Sequence, residues 1–304
     1  MKSPIFPHQA PVYQALAETA RVFFNSDWRD LPIRPRFSRL ITGPTGNGKT
    51  FVVSALAAEL EIPLYTIVAS NWVPLGSAQR GARPTWVDLV EFCHNNVQGM
   101  IFVDEVCKLT GWAPWMQCIR TEAFSLLDGR LPDNVAPSSS DSGYDDLDTL
   151  NLQLETARNR LRDSFLIVGA GAFQHLWQRK QSPRIGFSSE GIKDDGKLGK
   201  TDLSREIPAE VINRFASPIL ILPPLQESDY VAILQHVISN LDAPLRCRVE
   251  KIAKSSIFEA IENGTGCRWI EEAVLQALIE MSAPEHQPNS SVLKACPNLE
   301  FGVP

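Results

Sequence analysis

Eight consecutive residues, Gly43-Pro44-Thr45-Gly46-Asn47-Gly48-Lys49-Thr50, have the types and spacing needed to hold a polyphosphate. The glycines let backbone N–H groups wrap phosphate oxygens, Lys49 reaches the terminal phosphates, and the Thr50 hydroxyl can ligate magnesium. Phe51 comes directly after and is grouped with them as nucleotide-binding. Further along, Met100-Ile101-Phe102-Val103-Asp104-Glu105 reads as an apolar strand that ends in two carboxylates. Placed opposite the phosphate loop, Asp104 can hold a magnesium shell and Glu105 can polarise a water for attack on a γ-phosphate. The implied cofactors are ATP and Mg2+.

Such a site needs a strand to deliver the loop and a helix to receive it. Short apolar runs at Arg39–Gly43, Pro63–Ala69, Met100–Val103, Phe165–Gly169 and Pro218–Leu222 lack polar alternation, and helical patterns at Thr50–Leu60 and Thr85–Asn95 lie between them. A parallel sheet covered on both faces produces that texture. We therefore expect an α/β domain over 1–222, of the three-layer αβα P-loop NTPase class. After Pro223-Pro224 only helical spacing remains, at Glu227–Leu241 and Arg268–Met281, so a small all-α unit is expected over 223–285 and a poorly packed tail over 286–304. Pro132–Thr149 and Gln178–Thr201 read as long loops.

Composition narrows the setting. With 44% apolar and 21% charged residues, the 304-residue chain should fold into a soluble globular protein. A net charge of -6 gives no electrostatic reason for a nucleic-acid partner. No apolar run approaches the roughly 18 residues needed to span a bilayer, and the start, MKSPIFPHQAPVYQAL, lacks the apolar stretch of a signal peptide, so a cytoplasmic location is expected and no membrane partner. The six cysteines show no C-x-x-C pair and no His at ligand spacing, which argues against zinc and makes most of them small core residues.

These motifs, together with the segments C-terminal to them, resemble the AAA+ ATPases, and within them the ClpX and HslU unfoldase branch. Ile5–Ala10 is similar to the family's segment that packs on adenine, and Phe165–Phe173 to its sensor-1 strand with a trailing Gly-Ala-Phe. The resemblance implies that Arg214, in Ile207–Phe215, is an arginine finger reaching a neighbouring subunit's site, with a helix-terminal surface ion pair as the alternative. It also implies that Arg268, after Gly264-Thr265-Gly266-Cys267, contacts phosphate from the lid side. Ile185-Gly186-Phe187 falls where the branch docks a ClpP-like peptidase, with ordinary loop packing as the alternative. The resemblance further implies a homo-oligomeric ring of six subunits acting on protein clients.

Some features depart from that pattern. No cysteine cluster precedes the phosphate loop, where ClpX carries a zinc-binding domain. The first pore loop, Gly76–Ala82, has Gln79 and Arg80 in place of an aromatic grip, and Trp72 is either a substitute for it or a core residue. The second pore-loop region, Pro137–Asp148, carries four Asp and Tyr144 instead of basic residues. Three functions stay open: an ATP-driven protein remodeller or unfoldase, an AAA+ regulatory switch that gates a partner without threading, and a nucleic-acid loader, which the acidic balance disfavours.

Overall fold

The five apolar runs pair into one parallel sheet of order β2-β3-β4-β1-β5, from β1 (Arg39–Thr42), β2 (Leu64–Val68), β3 (Gly99–Asp104), β4 (Phe165–Gly171) and β5 (Leu220–Ile221). The computed structural model describes residues 5–75, 82–110, 114–133, 147–174 and 208–282, together with Val135, Trp177 and Leu203. The expectations for Gly76–Gly81, for Ile185–Phe187, for 286–304 and for most of Pro137–Asp148 lie outside these residues.

Helices cover both faces of the sheet. Successive residues of one strand point to opposite sides, so Met100 and Phe102 join one cluster while Ile101 and Val103 join another. The first cluster takes in α1 (Ala10–Asn25) and α2 (Lys49–Glu59), through Leu16, Phe23, Val52 and Leu56. The second takes in α3 (Thr85–Asn95), α4 (Pro114–Leu127) and α5 (Leu147–Asp163), through Trp86, Leu89, Ile119, Leu126, Ala157 and Leu161. This is the α/β three-layer P-loop architecture, and it explains why the strands carry no polar alternation.

A one-turn helix, α6 (Ala209–Ile212), precedes β5. Then α7 (Glu227–Ser239), α8 (Ala243–Asn263) and α9 (Arg268–Ser282) build a third apolar cluster around Tyr230, Ile233, Val249, Ala253, Trp269 and Ala277. Phe6, from near the other end of the chain, packs against it. A capping box between Gln226 and Asp229 starts α7, and Gly264, in the left-handed region at φ 60, ends α8.

Two expectations need correction. Pro132–Thr149 is not loop throughout: α5 begins at Leu147, because Leu154, Ala157 and Leu161 recur at helical spacing and draw the preceding turn into the helix. The cysteines are not mostly core. Among the five described, Cys93 is buried, Cys107 and Cys267 are half-buried, and Cys118 and Cys247 lie on outward helix faces, none in a disulfide. No group of His, Cys, Asp or Glu among the described residues could hold a metal by itself, and no described helix is long and apolar enough to cross a membrane.

The segment that carries Arg214 is anchored from below. Phe215 is 1% exposed and lies against β4, where a Cβ on Gly169 would come within 2.7 Å of its ring, so only glycine admits it. Phe215→Ala should lower the unfolding free energy by about 3–5 kcal/mol, read from urea denaturation. A loss below about 1 kcal/mol, small against any core truncation of this size, would contradict this anchoring.

Candidate active site

In a parallel sheet, ligands bind at the carboxyl ends of the strands where the strand order reverses. Here β1 and β3 flank β4, and the segments leaving them open into a cavity of about 1080 Å³. Its floor is Thr45, Gly46, Gly48, Lys49 and Thr50, with Asp104 and Glu105 to one side. Ile233 and His236 from α7, and Arg268 and Ile270 from α9, face them across the cavity. Phe6 and Gln9, from the Ile5–Ala10 segment, also line it.

Gly46 and Gly48 adopt φ near +83 and +84, which turns the loop tightly into the N-terminus of α2. Lys49 is 9% exposed, and its ammonium donates to the Gly43 and Pro44 carbonyls, both at 2.8 Å. Burial pulls its pKa below the ordinary lysine value, with the Asp104 carboxylate opposing that shift. An arriving polyphosphate reinforces the opposing effect and favours the charged ammonium. Gly43 and Asn47 do not line the cavity. Gly43 backs onto Leu222, and the buried Asn47 donates its amide to the Pro223 carbonyl, so these two hold the loop's shape.

Thr50 Oγ1 donates to Asp104 Oδ2 at 2.9 Å, which brings together the two oxygen groups suited to a hard divalent cation. These residues fit Mg2+: Thr50 would hold it directly, Asp104 would hold its shell, and the ion would neutralise phosphate charge. Asp104→Asn should raise the magnesium concentration needed for half-maximal turnover by about 10–100-fold. An unchanged magnesium titration would remove Asp104 from this role.

Glu105 adopts φ 56, a conformation that costs a non-glycine residue about 1–3 kcal/mol and often marks functional positions. Its N–H donates to Asp104 Oδ1 at 2.7 Å, and its Oε2 accepts from Ser70 Oγ at 2.7 Å. The side chain is thereby turned toward the end of β2 while still lining the cavity. Ser70 was missed in the sequence, where a lone serine after a strand carries no signal. Gln9 was not singled out either, although it is 1% exposed, accepts from the Phe6 amide and donates to the Asn47 carbonyl.

The two arginines part company. Arg268 faces the cavity, whereas Arg214 does not. Arg214 Nε lies 3.1 Å from Asp128 Oδ2, its Nη1 donates to the Glu210 carbonyl at 2.6 Å, and its guanidinium sits 4.0 Å over the Phe124 ring. It is held in place but away from the nucleotide site of its own chain. Trp72 is 4% exposed, and its indole N–H donates to Glu122 at 2.9 Å, so it is a core residue. Burial pushes the Glu122 carboxyl above the usual range, and its hydrogen bonds to Trp72 and to the Leu75 amide oppose that shift.

Residues 39–114, from β1 through the two carboxylates, match the family described as ATPase family associated with various cellular activities (AAA). Over those residues the chain resembles AAA ATPases. It is 37% identical over 70 residues to the ATP-dependent zinc metalloprotease FtsH 2 of Bdellovibrio bacteriovorus, which covers 23% of this chain and 11% of that protein. Over 174 residues it is 25% identical to the ATP-dependent Clp protease ATP-binding subunit ClpX of Borrelia duttonii, covering 52% of this chain and 38% of that one. It is also 34% identical over 95 residues, 31% of this chain and 10% of the relative, to a probable inactive ATP-dependent zinc metalloprotease, FTSHI 1, of Arabidopsis thaliana. The chain thus spans well under half the length of these relatives.

Proposed function

We propose that this AAA module binds Mg2+-ATP in the cavity, hydrolyses it where copies of the chain meet, and uses the cycle to remodel a protein client in the manner of ClpX. Competence for hydrolysis is argued from residues, and both Asp104 and Glu105 are present. The observation that carries the reading is the separation of the arginines. Arg268 lines its own chain's cavity, and Arg214 is pre-set elsewhere, as a guanidinium offered to another copy would be.

On this reading residues 1–222 form the nucleotide-binding unit, 223–285 the lid and 286–304 a tail. The third apolar cluster, whose buried residues all fall between Leu225 and Ala277, supports that division. Assembly is a ring, of six copies by the ClpX likeness, with Ile185-Gly186-Phe187 as the candidate contact to a ClpP-like peptidase. The ATP requirement is the reason to place it in the cytoplasm.

One observation favours the second reading, an ATP-dependent switch that gates a partner without threading it. The burial of Trp72 removes the aromatic that could have replaced the missing pore-loop grip, leaving Gln79 and Arg80. A stably folded fluorescent reporter, fused to candidate client tails and incubated with ATP, separates the two. The remodeller reading expects ATP-dependent loss of fluorescence, together with a native mass that rises to a closed oligomer. Persistent fluorescence with ATP-dependent assembly leaves the switch.

A further inference from the structure

A tyrosine hydroxyl, two glycines and two amides make a joint between the phosphate loop and the C-terminal helices. Tyr230 of α7 is 2% exposed, and its hydroxyl donates to the Ala260 carbonyl of α8 and accepts from the Gly266 amide, both at 3.2 Å. Burial raises the phenol's pKa, so it remains a protonated donor at neutral pH. Gly266 lies in the left-handed region at φ 66 and presses on the phosphate loop. A Cβ on Gly266 would stand 2.8 Å from the Gly46 carbonyl carbon and oxygen, and a Cβ on Gly46 would stand 2.7 Å from the Thr265 oxygen. The Cys267 amide then donates to the Gly46 carbonyl at 2.9 Å.

The next residue is Arg268, the first of α9, which faces the cavity. The rotation of α9 is set by Trp269, whose ring meets Tyr230 edge-on at 5.4 Å and whose indole N–H donates to Ser256 at 2.9 Å. Burial, with the Glu271 carboxylate adding to it, pushes the Cys267 thiol up to about 11, so the thiol itself carries no charge at neutral pH.

The geometry points to Tyr230 and Gly266 as positioning residues: they seat the start of α9 directly on the phosphate loop and so aim Arg268 at the phosphates of a bound nucleotide. This rests on the reading of Arg268 as a phosphate contact. An arginine side chain has many rotamers, and it delivers its guanidinium reproducibly only when its backbone is fixed relative to the target. Across the contact with the phosphate loop itself, the fixing atoms are backbone apart from the Tyr230 hydroxyl. The joint therefore fails when a Cβ is added at Gly266 or the hydroxyl is removed from Tyr230.

The test compares Mg2+ complexes of a methylanthraniloyl-labelled ATP bound to the full chain and its variants Tyr230→Phe, Gly266→Ala, Arg268→Ala and the double variant Tyr230→Phe/Arg268→Ala. Loss of a charged hydrogen bond in Arg268→Ala should weaken binding by about 10–100-fold, and Tyr230→Phe should weaken it by about five-fold. Because Tyr230 acts through Arg268, the double variant should bind no more weakly than Arg268→Ala alone. Additive losses, or unchanged binding in Tyr230→Phe with only a lowered melting temperature, would reduce Tyr230 to a packing residue and overturn the inference. If Arg268→Ala binds as well as the parent, the phosphate role of Arg268 itself fails and the inference falls with it. Should Gly266→Ala not fold, Tyr230→Phe carries the comparison by itself.

Discussion

Replacing Glu105 by Gln should leave labelled-ATP binding within about two-fold of the parent while lowering kcat by about 10²–10⁴-fold, the span usual for a lost general base. The carboxylate and the amide have the same shape, so the unusual backbone at φ 56 and the hydrogen bond from Ser70 can both persist. What disappears is the capacity to draw a proton from an attacking water. The neighbouring Asp104 cannot take over, because its Oδ2 is engaged by Thr50 and its Oδ1 by the Glu105 amide. The check is a pair of measurements on one preparation: nucleotide affinity by fluorescence, and phosphate release at saturating ATP. Undiminished phosphate release would end the assignment of Glu105 as base.

The second large effect belongs to Arg214. Arg214→Ala should reduce turnover by about 10³–10⁵-fold, as for arginines that stabilise charge on a transferring phosphoryl group, with little change in nucleotide affinity. Affinity should hold because Arg214 does not touch the cavity of its own chain. Mixing gives the sharper result. In assemblies containing both Arg214→Ala and Glu105→Gln chains, some sites combine an intact Glu105 with an intact Arg214 from the neighbour, and hydrolysis should return there. If demonstrably mixed assemblies stay inactive, Arg214 does not act in trans. Loss of nucleotide binding in Arg214→Ala would point instead to collapse of the Asp128 and Phe124 contacts that hold it.

The strands and the phosphate loop were legible in the sequence because their physics is local. A strand buried on both faces has to be apolar throughout, and a loop that wraps phosphate has to be rich in glycine. Asp104 and Glu105 could be placed because a strand's end in a parallel sheet faces the crevice. Ser70, Gln9, Asp128 and Tyr230 were not legible, since each is one polar residue whose role depends on a partner far along the chain. The Gly266 amide that Tyr230 accepts from, for example, lies 36 positions away. The N-terminal part of α5 was hidden for a different reason: its approach, Ser138 to Asp148, has the composition of a loop, and the helical spacing starts only further on.

The resting partners of Lys49 bear on how quickly the site can empty. With its ammonium already satisfied by the Gly43 and Pro44 carbonyls, ATP binds by exchange, trading two carbonyl contacts for phosphate oxygens. The reverse trade is equally available once hydrolysis has removed the terminal phosphate, because the lysine leaving the product falls back on carbonyls of its own loop. Such an exchange would shorten product residence at the expense of some affinity. A site that has to be refilled in every cycle gains more from fast ADP dissociation than from tight ATP capture.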